Sequence, residues 1–168
     1  MTKRLAPLAA LVAAALAVAG CGSSGGAYGG SSSATTGKPA STSPEATGAA
    51  VITVATTPKL GKVIVDSKGF TLYDFNKDKG TTSSCYGGCT QVWPPLTSGG
   101  APQVGEGAVA SKLGTTKRKD GTMQVTYAGH PLYTYVADKK PGDTTGNDFS
   151  AFGGQWHALL PSGEAAGG

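Results

Sequence analysis

Charged residues are scarce in this chain, and a dense basic segment is missing. Only 14% of the 168 residues are charged, and the formal net charge is +4. The longest basic run, Lys117-Arg118-Lys119, leads into the turn sequence Asp120-Gly121, and we interpret it as the solvated tip of a hairpin. This distribution lacks the electrostatic footprint of a nucleic-acid-binding protein, so we expect no nucleic acid partner.

The chain also lacks the short motifs of common hydrolases, and it has only two histidines. It contains neither a Gly-x-Ser-x-Gly nucleophile motif nor a His-Glu-x-x-His zinc motif. His130 and His157 could bind copper or zinc together with Met123 or a thiolate. A calcium ion could be bound by three aspartates, Asp138, Asp143 and Asp148. Ordinary solvated positions explain both groups more simply. We therefore predict no enzyme activity, no bound metal and no cofactor.

The amino-terminal 20 residues have the pattern of an export signal. Lys3 and Arg4 precede an apolar segment, residues 5–19, which is shorter than the roughly 20 residues that a membrane-spanning helix needs. Val18-Ala19-Gly20-Cys21 follows at once and resembles the lipobox of bacterial lipoproteins, whose cysteine is acylated before cleavage ahead of it. The resemblance predicts a signal peptide over residues 1–20 and acyl chains on Cys21. An ordinary secretory signal and an uncleaved anchor helix are the alternatives.

These features predict the location and the domain organisation of the chain. Acyl chains on Cys21 would hold the protein on the outer face of the bacterial cytoplasmic membrane. Residues 21–50 contain almost no large apolar side chain, so they cannot bury enough surface to offset the entropy of ordering. We predict a disordered tether there, a folded domain over residues 51–163, a flexible tail over residues 164–168, and a monomeric protein.

The two remaining cysteines form an even pair in an oxidising compartment. The loop between Cys85 and Cys89 contains two glycines, which permit the tight turn that brings the two Cα atoms within about 6 Å of each other. A disulfide bond is the favoured interpretation, and a metal or redox site is the alternative. Attachment of a c-type haem is disfavoured, because the spacing is wrong and Thr90 stands where a histidine is required.

The most informative feature of the folded part is an internal repeat. At an offset of 60 residues the matched positions are Val65 and Val125, Gly69 and Gly129, Leu72-Tyr73 and Leu132-Tyr133, Phe75 and Tyr135, and Asp78-Lys79 and Asp138-Lys139. After a drift of a few residues, Tyr86-Gly87-Gly88 matches Phe152-Gly153-Gly154, and Trp93 and Leu96 match Trp156 and Leu159. The two copies occupy about residues 60–100 and 120–161.

Each copy consists of short strand-like runs. Residues 62–66 and 70–75 are separated by a turn signal, and the second copy repeats this arrangement over residues 122–127 and 131–136. Beyond residue 50 the sequence lacks sustained helical periodicity, and residues 107–113 could form one helical turn at most. We therefore predict an all-β fold, a small antiparallel β domain of roughly eight strands built from two sequence repeats.

A motif of two aromatic residues, an aspartate and a later tryptophan recurs in both copies: Tyr73, Phe75, Asp78 and Trp93, and Tyr133, Tyr135, Asp138 and Trp156. Residues two apart in a strand share a face, so each aromatic pair lies side by side, and the aspartate falls where the strand ends. We expect the rings to fill a core, the aspartates to cap turns and the tryptophans to close one end. The alternative is an aromatic face that stacks on sugar rings or another planar ligand.

These motifs resemble a bacterial family of secreted-repeat lipoproteins of unknown function, defined by the pattern Tyr-x-(Phe/Trp/Tyr)-x-x-Asp. The resemblance covers about residues 60–161 and includes the cysteine loop and Trp93-Pro94-Pro95. It implies exported or lipid-anchored proteins, common in high-GC Gram-positive bacteria, with no established reaction. The second copy departs from the first because it lacks the cysteines and has Trp156-His157 in place of Trp-Pro.

Two hypotheses for the function follow. The leading one is a non-catalytic binding or structural module of the cell envelope, whose partner is an envelope protein, a wall polymer or a small ligand. The alternative is a redox or metal/haem-handling envelope protein that uses Cys85, Cys89 and the aromatic face.

Overall fold

A computed structural model describes residues 48–167 of the chain. The predicted signal peptide (residues 1–20), the lipidation site Cys21 and nearly all of the predicted tether (residues 21–50) lie outside the described residues. Within residues 48–167, no helix is both long enough and apolar enough to span a bilayer.

The described part of the chain is built almost entirely of short strands, which confirms the predicted all-β class. Its elements are, in chain order, β1 (Val51–Thr57), β2 (Gly61–Asp66), β3 (Tyr73–Phe75), helix α1 (Gly88–Val92), β4 (Gln103–Val104), a 3₁₀ turn (Ala110–Lys112), β5 (Leu113–Lys117), β6 (Met123–Tyr127), β7 (His130–Pro131), β8 (Phe149–Ala151) and β9 (Gly154–Ala158). Helix α1 is a single turn that sequence periodicity did not reveal, because five residues are too few to show a period.

The strands form three small sheets, with the orders β2-β1-β4, β3-β9-β8 and β5-β6-β7. The Asp120-Gly121 turn joins β5 and β6 as an antiparallel hairpin, with Leu113 opposite Tyr127. Five of the six strand pairings are antiparallel, whereas β1 and β4 pair in parallel. The predicted antiparallel β domain is therefore confirmed, with one parallel pair that the sequence did not indicate. A parallel pair needs a long crossover connection, and most of the first copy supplies it here.

The motif strand of each copy pairs with the tryptophan-bearing segment of the other copy. In the first half of this exchange, β3 lies antiparallel to β9, with Phe75 opposite Trp156. In the second half, Tyr133 forms a β-bridge to Pro95, and the Thr134 N–H donates to the Pro94 carbonyl at 2.9 Å. The two sequence copies therefore do not fold as two separate halves, since each completes the sheet of the other.

The structure corrects the repeat alignment by one residue before the first turn. The Ile64 N–H donates to the Leu159 carbonyl, just as the Val125 N–H donates to the Leu96 carbonyl. Ile64, rather than Val65, is therefore the counterpart of Val125. The shift arises because the two turns differ in length. In the first copy the Asp66 N–H donates to the Phe70 carbonyl across a three-residue turn, whereas the turn between Tyr127 and His130 has only two residues.

Two apolar clusters fill the interior. The larger cluster contains the motif aromatics and the cysteines, with these buried members: Val63, Val65, Tyr73, Phe75, Cys85, Cys89, Trp93, Tyr133, Trp156, Ala158 and Ala166. The smaller cluster contains Ile52, Ile64, Leu72, Val125, Tyr127, Leu132 and Leu159. Both clusters draw side chains from both copies, so burial of apolar surface, the main favourable term in folding, depends on the two copies being together.

The carboxyl-terminal residues are part of the fold rather than a flexible tail. The Ala166 N–H donates to the Ala158 carbonyl at 2.7 Å, and the Ala166 side chain is buried in the larger cluster. The prediction of a flexible segment over residues 164–168 is therefore wrong up to Gly167. Its small residues look like a linker in the sequence, but the backbone bond to Ala158 and the burial of Ala166 hold the segment against β9.

Candidate functional site

The two copies of the motif exchange their hydrogen-bond partners. The Tyr73 hydroxyl donates to Asp138 Oδ2 at 2.7 Å, and the Tyr133 hydroxyl donates to Asp78 Oδ2 at 2.8 Å. The two tyrosines also pair through their backbones, with N–H to carbonyl distances of 2.9 and 3.0 Å. Each motif tyrosine is therefore bound by the carboxylate of the other copy.

The second oxygen of each motif carboxylate caps a turn. Asp78 Oδ1 accepts from the N–H and the hydroxyl of Ser84, both at 2.7 Å. Asp138 Oδ1 accepts from the N–H of Thr145 at 3.0 Å and from its hydroxyl. Burial, with a further contribution from the neighbouring carboxylate, raises the pKa of both motif tyrosines well above the usual value. Both phenols therefore stay neutral and serve as donors.

Four aromatic rings form a continuous stack in which the two copies alternate. Phe75 stacks on Trp156 at a centroid distance of 4.1 Å, Trp156 on Trp93 at 4.0 Å, and Trp93 on Tyr135 at 4.1 Å. The two indole planes lie within 1° of parallel. The motif tyrosines stand edge-on to the tryptophans, at 5.4 and 5.1 Å. Stacked and edge-on contacts of this kind add to the stability from area burial.

The ring stack is interior, not an exposed binding face. Trp93 and Trp156 are both 0% exposed, and Phe75 is 3% exposed. Only Tyr135 among the stacked rings is half-buried. Neither indole N–H has a hydrogen-bond partner within residues 48–167, although both are buried. A sugar ring therefore finds no open tryptophan face in this arrangement.

The cysteine loop carries the predicted disulfide bond. Cys85 and Cys89 are bonded with their Cα atoms 5.4 Å apart, and both side chains lie in the larger cluster beside the ring stack. The second copy has Gly146 at the position of Cys85, one residue after the turn-capping hydroxyl. A Cβ at Gly146 would come within 2.6 Å of the Trp93 ring, so no cysteine fits there without displacing the stack.

Arg118 holds the cysteine loop against the β5–β6 hairpin. Its guanidinium donates to the Ser83 hydroxyl at 2.8 Å, to Gln124 Oε1 at 2.6 Å and to the Cys85 carbonyl at 2.8 Å. The residue is 3% exposed, so the prediction of a solvated tip is wrong at this position, although Lys117 and Lys119 are exposed. A buried guanidinium is tolerated because its N–H groups are bonded and Asp120 supplies the opposite charge at 3.2 Å.

The surface feature that sets one end of the molecule apart is a row of alternating histidines and aspartates. His130 Nδ1 lies 3.5 Å from Asp74 Oδ2, Asp74 stands opposite His157 in the β3–β9 pair, and His157 Nδ1 lies 3.1 Å from Asp148 Oδ1. Asp74 is 6% exposed, and its Oδ1 has no hydrogen-bond partner within the described residues. Burial raises the pKa of Asp74, while the two histidines oppose that shift.

This polar row has no equivalent in the other half of the molecule. The positions that correspond to His130, Asp74 and His157 are occupied by Phe70, Thr134 and Pro94. The contrast identifies this row as one of the places where the two halves differ chemically. The substitutions are visible when the two copies are aligned, so the sequence contains a signal for this cluster that motif searching passes over.

Of the metal candidates from the sequence, His130 and His157 both neighbour Asp74, whereas the three acidic candidates are each bonded to other side chains or to backbone groups. Asp143 accepts from Lys139 and Lys140, and the latter's ammonium holds the pKa of the Asp143 carboxyl down at about 2. Asp138 is occupied by Tyr73 and Thr145, as described above, and Asp148 by His157. In residues 48–167, no three histidine, cysteine or acidic side chains are grouped so that they could bind one metal ion.

Two shallow depressions mark the surface. The larger one, of about 530 Å³, lies between β4 and β5 and is lined by Ala101, Pro102, Gln103, Val104, Ala110, Leu113, Gly114 and Thr115. The smaller one, of about 330 Å³, follows the β8–β9 hairpin. The residues that line these two depressions include no aspartate, glutamate, histidine, lysine or cysteine.

Comparison with known proteins finds one family model. A model described as a secreted repeat of unknown function matches residues 54–97 and again residues 114–160, which together make up more than half of the chain. The two matched regions coincide with the two copies that exchange strands in the structure. Searches of curated proteins and of solved structures find no match.

Proposed function

The chain belongs to the family of secreted repeats of unknown function, and from this premise we propose that it is a lipid-anchored, non-catalytic binding module of the cell envelope. The family is a secreted one, so the chain acts outside the cytoplasm. Acylation of Cys21 would keep the domain at the outer face of the membrane, since two or three acyl chains anchor a protein stably. The monomeric domain would then present its surface to an envelope protein, a wall polymer or a small ligand.

The non-catalytic part of the proposal rests on one observation, which is that the side chains of the repeated motif bond and pack against one another inside the fold. Each motif tyrosine bonds the opposite aspartate, and the four stacked rings are packed against one another. Groups that are packed in a core or bonded to one another stabilise a fold but have little access to substrate. The motif therefore builds a rigid scaffold, and recognition falls to the surface that the scaffold supports.

The redox or metal/haem-handling alternative receives less support from the placement of its residues. Cys85 is 0% exposed and Cys89 is 5% exposed, so an attacking thiolate would not reach either sulfur without local opening. The aromatic face on which this alternative also depended is the buried stack. The binding module is therefore the function that the placement of these residues supports better.

The anchoring part is tested by mass spectrometry and fractionation of the native protein. We expect a chain that begins at residue 21, carries acyl chains on Cys21 and sediments with membranes, because the anchor requires that thiol. The Cys21→Ser variant is the matched control and should leave the membrane fraction. An intact leader, or an unmodified sulfur at Cys21 in the native product, contradicts the proposal.

The binding part is tested in the same cells by cross-linking from exposed positions. A photoreactive residue at Val109, Met123 or Phe152, all of which are exposed, should capture a defined envelope component from at least one face. A buried control at Leu132 should capture nothing. Turnover of an added substrate that is lost on substitution of Asp74 or His130 would instead indicate an enzyme.

A further inference from the structure

The β8–β9 hairpin ends in an exposed phenylalanine with an unfavourable backbone conformation. Ala151 pairs with Gly154 across a two-residue turn, in which Phe152 has φ +55° and Gly153 has φ +76°. Turns of this type prefer asparagine, aspartate or glycine at the first central position, because a left-handed backbone crowds a Cβ atom. Phe152 is nevertheless 46% exposed and thus recovers little of that cost by burial.

The matching aromatic residue of the first copy is covered, whereas Phe152 is bare. The Tyr86 ring lies under the Arg118 guanidinium at 4.4 Å and the Lys119 ammonium at 5.4 Å. The counterpart of Arg118 in the other half is Thr57. The two residues lie seven positions before the equivalent strand residues Val125 and Ile64, respectively. The short Thr57 side chain donates to Gly61 within its own turn. Within residues 48–167, no cation or aromatic ring covers Phe152.

A lysine lies beside the same turn. The Lys77 side chain runs along the hairpin, since a Cβ at Gly154 would meet its Cγ at 2.7 Å and a Cβ at Gly153 would meet its Nζ at 3.1 Å. Residues 149–155 contain no carboxylate, and the preceding Asp148 is bonded to His157 at 3.1 Å. Phe149 is a second exposed aromatic residue on this hairpin. The Phe149 ring packs on one side against Trp93 and Tyr135, at centroid distances of 6.1 and 5.6 Å. The turn therefore combines the bare Phe152 ring and the partly covered Phe149 ring with a positive charge, which suits the boundary between lipid headgroups and acyl chains.

We propose that this tip, formed by Phe149, Phe152, Gly153 and Lys77, docks on an anionic membrane surface. The rings enter the headgroup boundary and the Lys77 ammonium pairs with lipid phosphates. The choice of a lipid surface rests on the charge of the tip and on the proposed anchor at Cys21. Only residues 22–47 separate that cysteine from the described domain, and a fully extended chain of this length spans about 90 Å at most, so the membrane stays within reach.

The test uses residues 21–168 with Cys21→Ser, so that no acyl chain contributes, and measures co-sedimentation with phosphatidylcholine vesicles with and without 30% phosphatidylglycerol (about one anionic lipid in three). We expect binding to the anionic vesicles that weakens as salt is raised. Phe152→Asn should weaken binding by about fivefold or more while raising the melting temperature, because asparagine suits the turn. Met123→Ser, at an equally exposed site away from the tip, is the matched control and should leave binding unchanged.

Two outcomes would overturn the docking proposal. One is a wild-type chain that binds neither kind of vesicle, and the other is a Phe152→Asn variant that binds as well as the Met123→Ser control. A Phe152-dependent cross-link to an envelope protein, in the absence of vesicle binding, would assign the tip to a protein partner and likewise reject the lipid surface. Since acylation of Cys21 is measured separately by mass, failure of the anchor and failure of the tip give different results.

Discussion

At the scale of single residues, three aspartates in or near the repeated motif differ in how completely their oxygens are hydrogen-bonded. Asp78 and Asp138 each accept hydrogen bonds on both oxygens, from a turn and from a tyrosine of the other copy. Asp74 is as buried as Asp138 but has one oxygen without a partner within the described residues. Charged groups that are buried without full hydrogen bonding cost free energy, so Asp74 is kept at the expense of stability. Such a residue is more typical of a functional surface than of a scaffold.

We predict that Asp74→Asn stabilises the domain at neutral pH by about 1 kcal/mol, because it removes a buried charge while keeping the shape. The pKa of Asp74 is raised in the folded state, so the native carboxyl has no penalty below the unfolded pKa near 3.8 and acquires its full penalty as the pH rises through the folded pKa. The gain should therefore be present at pH 7 and vanish below about pH 4. Urea unfolding across this pH range measures it.

The matched control is Asp78→Asn, which should destabilise the domain at neutral pH by about 1–3 kcal/mol, because an amide N–H would face the Tyr133 or Ser84 donors. A destabilising Asp74→Asn at pH 7 would show that His130 and His157 already compensate the buried charge.

At the scale of elements, the cysteine loop and the β5–β6 hairpin stabilise each other. The disulfide closes a turn of five residues, and Arg118 bonds the Cys85 carbonyl from the hairpin. The loop position is therefore set by the guanidinium as well as by the covalent bond. The disulfide bond and the Arg118 contact together hold the cysteine loop against the core that both copies share.

We predict that Cys85→Ala/Cys89→Ala lowers the free energy of unfolding by about 2 kcal/mol or less, because a loop this short removes little entropy from the unfolded chain. The variant should still fold, which near-ultraviolet circular dichroism of the tryptophan stack would report. Arg118→Met is the comparison, since it leaves the covalent bond intact but removes four hydrogen bonds. Complete loss of folding in the double-alanine variant would mean that the disulfide does more than close the turn.

At the scale of the whole molecule, the exchange of partners makes the two copies one folding unit. Rings from the first and second copies alternate along the stack, and the motif strand of each copy pairs with the other. A substitution that destabilises one copy should therefore destabilise the other copy as well. An arrangement of two side-by-side repeats would instead let one half unfold while the other remained folded.

We predict that Trp93→Ala and Trp156→Ala each destabilise the entire domain by about 3–5 kcal/mol, as expected for loss of a large buried ring. Unfolding should remain a single transition in both variants when it is followed by fluorescence of the remaining tryptophan and by hydrogen exchange of both copies. The exposed substitution Met123→Ser is the control with little effect. Two separate transitions, with only the mutated copy unfolding early, would contradict the interlocked arrangement.

Local patterns in the sequence determined the local structure of this protein. Short strand-like runs predict strands over residues 62–66 and 122–127, Asp120-Gly121 predicts the hairpin turn, and the cysteine loop predicts the disulfide, all of which the structure contains. The strand predicted over residues 131–136 is reduced to His130–Pro131 and isolated bridges at Tyr133. The repeat itself follows from comparing the chain with itself. Each of these features depends on contacts within a few residues, and the backbone geometry of such contacts follows directly from residue type.

Only the tertiary structure decided which copy supplies each partner. The sequence predicts that Asp78 and Asp138 cap turns, but it does not predict that Tyr73 bonds Asp138, a contact that follows from the bridge between Tyr73 and Tyr133. Burial of Arg118 and the meeting of Asp74 with His130 have the same origin. These contacts join residues far apart in the chain, and their geometry is set by the packing of both copies around one shared core, which no local pattern encodes.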